Sequence, residues 1–140
     1  MAEASFEGYE NIRRKLQQML DGKPQALKAA GVVLLTEAQK SITQGGNGWP
    51  GFARQPKRAH QLLWDYGTLL RSLAVGDTNN VFQEVGDSIT IGSSVDYARA
   101  QNLGNPAHDL PARPYLFVDE ARLRLAETAF MNQLKKAWDR

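Results

Sequence analysis

Few side chains in this sequence are equipped for covalent chemistry. The 140 residues include two histidines and no cysteine. His60 precedes Asp65 by five positions, which puts the pair on poorly matched faces of a helix. His108 and Asp109 are neighbours in a stretch that reads as loop. A hydrolase needs a nucleophile, a base and a group that orients the base. No Gly-x-Ser-x-Gly or His-Glu-x-x-His pattern supplies them. Without cysteine there is no disulfide framework, no thiolate zinc site and no thiol nucleophile, which fits assembly in a reducing compartment. The expectation is no enzyme, no metal and no cofactor.

The side chains that stand out are those that recognise other surfaces. Trp49 and Phe52 lie in a stretch with Gly45, Gly46, Gly48, Pro50 and Gly51. Aromatics dominate interface hot spots, and flanking glycines let a loop reach outward. Folding back on the chain's own core is the other use for them. Residues 44–72 carry Arg54, Lys57, Arg58 and Arg71 against Asp65 alone. Residues 73–98 carry Asp77, Glu84, Asp87 and Asp96 with no Lys or Arg. A contact between two copies can join one patch to a different patch on the neighbour. A basic loop against an acidic hairpin suits that geometry; two solvated faces are the plainer alternative. Contact of the basic loop with DNA is a third possibility. Arg113, between Pro111 and Pro114, could bridge subunits by a bidentate ion pair or be satisfied within its own chain. Trp138 is either core or a partner contact.

Those residues need elements to hold them. Phe6, Tyr9, Ile12, Leu16 and Met19/Leu20 recur at helical spacing and predict an amphipathic helix. Asp21-Gly22-Lys23-Pro24 should stop it, with a left-handed cap at the glycine. A second helix follows over about 24–43, with Leu27, Leu34, Ala38 and Ile42 on its buried face. Ala29, Ala30 and Gly31 make a zone where a neighbouring helix can come close. The pair reads as an antiparallel hairpin. Glycines and proline exclude helix or central strand from the long loop at about 44–59. Leu62, Leu63, Tyr66, Leu69, Leu70 and Leu73 predict a further helix, interrupted at Gly67. The period then changes to alternation over 80–93, with Gly86-Asp87 as a tight turn. Tyr97 to Leu103 reads as a third strand or a short helix. The strap Leu110-Pro111-Ala112-Arg113-Pro114-Tyr115-Leu116 reads as rigid and extended, since each proline fixes φ and restrains the residue before it. It leads to a last helix at about 119–138, with Leu123, Ala126, Phe130, Leu134 and Trp138 on the buried side.

Composition supports one domain. Hydrophobic residues are 42% and charged residues 23% of the chain, ordinary values for a globular protein. The net charge of +2 does not by itself demand a nucleic-acid partner. Met1 to Ser5 lack the basic flank of a signal peptide, and no apolar run approaches the ~20 residues of a membrane helix. The expected fold is α+β, with the helical hairpin and the C-terminal helix packed on a small, mainly antiparallel sheet.

The order of these pieces resembles the phage virion morphogenesis family, also described as phage tail completion proteins. The matching pieces are Gly45 to Trp49, Tyr66-Gly67-Thr68-Leu69-Leu70-Arg71-Ser72-Leu73, Ile91-Gly92-Ser93-Ser94, Tyr97-Ala98, and Leu110 to Leu116. They span roughly residues 25–138 in the family's order. Tyr66 stands where that family has threonine, and Gln101-Asn102 replace a His-Gln pair. The resemblance implies a structural virion protein for tail completion or head–tail joining, with a tail terminator ring as the alternative. It implies a ring of this chain, six-fold by analogy with other tail rings. Its neighbours would be connector and tail proteins, with DNA passing through the channel and no membrane contact. Such a protein is assembled in the host cytoplasm and resides in the virion. A small nucleic-acid-binding module is the reading from another class. It rests on the pI of about 9.0 and the basic loop, and strongly salt-dependent DNA binding would mark it.

Overall fold

The computed structural model describes residues 6–44, 67–108 and 110–140. Trp49, Phe52, Arg54, Lys57, Arg58 and His60 lie outside the described residues, as does the helical stretch expected before Gly67. The described chain is α+β, as expected from the change of period. In order it forms α1 (Phe6–Asp21), α2 (Lys23–Thr43), α3 (Gly67–Ser72), β1 (Asn80–Val85), β2 (Ser88–Ser93), α4 (Ala98–Leu103), a 3-10 turn (Pro106–His108) and α5 (Glu120–Trp138).

Helix α2 is the centre of the fold, because two of its faces are used. Gly31, Leu35, Ala38 and Ile42 follow one another at helical spacing and are all buried. They face the sheet and the core beneath it, made by Leu69, Leu73, Ala98 and Tyr115 with Phe82 and Ile91 beside them. About 100° round the helix, Ala30, Leu34 and Ser41 face α5, which runs antiparallel to α2. Of the face expected, Ala38 and Ile42 are buried, while Leu35 and Gly31 take the place of Leu34 and Leu27, which are half-buried. Of the small-residue zone, Ala30 faces helix α5 and Gly31 receives the sheet. A Cβ at Gly31 would stand 3.0 Å from Phe82 and 3.2 Å from Ile89 and Ile91.

The sheet is a two-stranded antiparallel hairpin with Val85 opposite Ser88 and Phe82 opposite Ile91. Gly86 turns it at φ +59°, a conformation that costs glycine nothing. Two strands alone are marginal in water, and this pair is held by packing on α2.

At the other end, α1 and α2 meet at one residue. Gly22 is right-handed (φ −85°, ψ −5°), not the left-handed cap expected. Its N–H donates to the carbonyl of Gln18 (3.0 Å), and its own carbonyl accepts from Ala26 (3.0 Å). Backbone hydrogen bonding thus carries through the corner, where Pro24 withholds one donor. The hairpin is open: α1 packs more on α5 than on α2.

Candidate functional site

The strap is a positioning device, held in place by α4. Asn102 behaves as a short strand made of a side chain. Its Oδ1 accepts from the N–H groups of Tyr115 (2.9 Å) and Leu116 (3.1 Å), and its Nδ2 donates to the Leu116 carbonyl (3.0 Å). Arg113 N–H donates to the Gln101 carbonyl (2.9 Å), and Asn105 and Leu110 exchange two backbone hydrogen bonds. The Tyr115 hydroxyl donates to the carbonyl of Ala98 (2.9 Å). Burial pushes its pKa up to about 12. Asn102 is therefore the clasp of the strap.

From the strap the chain enters α5, whose first turn is capped by Asp119 accepting from Arg122 N–H (2.8 Å). Sequence reasoning missed Arg122. Its guanidinium is buried and donates to the carbonyls of Tyr115 (2.8 Å), Phe117 (3.3 Å) and Glu37 (3.3 Å) and to the Ser41 hydroxyl. It also stacks 3.7 Å from the Phe117 ring centre. Burial lowers its pKa, opposed by Asp119 and Glu37. One side chain thus ties strap, α2 and α5 together. The signal for it was a charged residue four positions before Ala126, within the apolar stripe of α5.

Helix α1 packs beside α5, where Lys15 donates to the Trp138 carbonyl (3.0 Å), and together the two helices present an apolar face to solvent. The α1 stripe reads as a helix correctly, but nothing in the described chain covers it: Tyr9 is 60%, Ile12 55%, Leu16 50% and Leu20 61% exposed. On α5, Leu123 and Met131 are exposed and Phe130, Leu134 and Trp138 are only half-buried. Of the five residues expected in the core there, Ala126 alone is buried. Two open grooves cross this face. One, about 320 Å³, runs between α1 and α5 and is lined by Leu16, Met19, Leu20, Lys23, Phe130 and Leu134. The other, about 540 Å³, lies between α2 and α5, with Ala30, Leu34, Leu123 and Met131 on its walls. Phe130 lines both, so the apolar surface is continuous.

The other expected contact residues are dispersed. Arg113 is 5% exposed, with its pKa lowered by burial, so its guanidinium is spent inside the chain. Asp87 at the hairpin tip is ion-paired to Lys23 of α2, which holds its carboxyl below the usual range. Asp77 accepts from Asn79 N–H (3.0 Å) at the opposite end of the sheet. A six-residue strand of about 16–20 Å separates the two, so they do not form one acidic patch. Glu84, on β1 near the tip, is half-buried. Trp138 is half-buried; Lys15 sits 5.3 Å over its ring and donates to its carbonyl (3.0 Å). Among the described residues, no three His, Cys, Asp or Glu side chains gather as a metal site, and no helix is long and apolar enough to cross a membrane. Comparison with protein-family models, curated proteins and solved structures found no match to this chain.

Proposed function

We propose that this protein is a structural subunit of a tailed-phage virion that acts in tail completion or head–tail joining by assembling into a ring. It makes and breaks no covalent bond. The observation that carries the reading is the apolar face of α1 and α5, left uncovered among the described residues, which has the size and character of an assembly surface. The family-like pieces support it as well. Leu69, Leu73, Ala98 and Tyr115 come from three of them and share one core cluster, with Ile91 of a fourth packed against it. Ser72 of the second piece donates to Ser93 of the third (2.7 Å). Their order in the chain is thus the order of parts in one packing unit.

The energetics suit reversible assembly. Covering six side chains that are about half exposed contributes on the order of 8 kcal/mol gross. Association costs ~4–15 kcal/mol in lost freedom and side-chain ordering. One such contact is therefore modest, and the other contacts of the assembly add to it. Electron microscopy of particles made without this chain tests the reading. Separate heads and unfinished tails are expected, restored by the wild-type chain and not by Leu16→Glu. Complete, joined virions in its absence would overturn it.

A further inference from the structure

We infer that the occupant of the α1/α5 face is the same face of a second copy, related by a two-fold axis that crosses α1 between Ile12 and Leu16. The inference rests on reading that face as an assembly surface, and it names the partner.

Three observations lead there. The first is area. The exposed parts of Tyr9, Ile12, Leu16, Leu20, Leu123 and Met131, with the half-buried groove walls, amount to roughly 700 Å². A stable contact takes about 800 Å² from each partner, so two copies of this face come close to that size. The second is matching. An apolar patch needs another of similar extent. The remaining exposed large apolar residues among those described are spread over separate places: Val32 on α2, Val75 in a turn, Val85 at the hairpin tip, Leu103 at the end of α4, Phe117 and Val118 after the strap, and Leu125 on α5, about 200° round that helix from Leu123. None of these approaches the α1/α5 stripe in continuous length.

The third is the spacing of the stripe itself. Tyr9, Ile12, Leu16 and Leu20 read nearly the same in both directions. Antiparallel apposition puts Ile12 opposite Leu16 of the copy and Tyr9 opposite Leu20, so every member of the stripe meets another member. A two-fold contact of this kind uses one patch twice and closes on itself. With α5 of each copy alongside, the result is a four-helix arrangement whose interior is built from residues now facing solvent. Such a contact pairs free subunits, or pairs rings back to back. It leaves the sheet side of each copy available to neighbours within a ring.

The chain has no cysteine, so single thiols report position cleanly. The test uses the full chain with Ile12→Cys or Thr128→Cys, a short bismaleimide, and sedimentation velocity. Thr128 is an exposed control on α5. The expected result is a dimer, a covalent Ile12→Cys dimer in high yield, and little linkage at Thr128→Cys. Leu16→Glu should give a folded monomer with unchanged far-UV circular dichroism, because half of Leu16 is already in water. A wild-type chain that stays monomeric at all concentrations would overturn the inference, including the case in which its own chain covers the face. So would a larger ring in which Ile12→Cys never links to itself. That last result overturns the two-fold contact and leaves the ring reading standing; intact virions without the chain do the reverse.

Discussion

Gly22 and Ala137 touch at the corner of the fold: a Cβ on Gly22 would lie 2.8 Å from the Ala137 Cβ. Two Cβ atoms that are not bonded do not sit that close, so the corner between α1 and α2 admits α5 because residue 22 has no side chain. The contact fixes where α1 leaves α2, and hence how α1 and α5 align to make the apolar face.

Gly22→Ala should therefore force α5 away from the corner. A destabilisation of about 1–3 kcal/mol is expected, as for overpacking elsewhere, although the backbone at residue 22 is one that alanine adopts freely. Urea unfolding measures it. A stabilised variant, as helix propensity alone would give, would show that the close approach does not govern the corner.

Arg122→Lys should be nearly as harmful as Arg122→Ala, at about 3 kcal/mol. An ammonium cannot span carbonyls of the strap and of α2 as a planar guanidinium does, and the unmatched acceptors remain buried. Equilibrium denaturation of both variants checks this. Full stability of the lysine variant would mean that the charge, not the fork, is what matters.

Tyr115 sets an alkaline limit. Its folded pKa of about 12 lies above the ordinary value of 10.0, so burial favours the neutral phenol. The corresponding stability is fully present below pH 10 and is lost as pH rises from 10 through 12, by up to about 3 kcal/mol. Tyr115→Phe should cost ~1–3 kcal/mol at neutral pH, because the Ala98 carbonyl loses its donor. The gap between variant and wild type should then close above pH 10. Parallel denaturation series at pH 8 and pH 11 read both effects; a constant gap would contradict the assignment.

The elements were legible from periodicity, and what each element packs against was not. The alternation over 80–93 and the turn at Gly86 became the hairpin because both signals are local. The stripe of α1 was legible as a stripe. A spacing of three and four says that a helix has an apolar side, but not which chain covers it. The same limit explains α5, where Phe130 and Leu134 line a groove instead of filling a core. Gly22 suggested a handedness signal and proved to be a clearance, visible only once Ala137 was placed beside it. The roles of Asn102 and Arg122 depend on carbonyls as far as 14 and 85 positions away along the chain, at Leu116 and Glu37, and no local pattern records those.

The measurement that bears most directly on the proposed role is an image reconstruction of the intact virion produced by a host carrying this gene. The account predicts a closed ring of this chain at the junction of head and tail, coaxial with the DNA channel, with α1 and α5 covered by protein. A virion whose neck and tail are fully explained by other chains would contradict it.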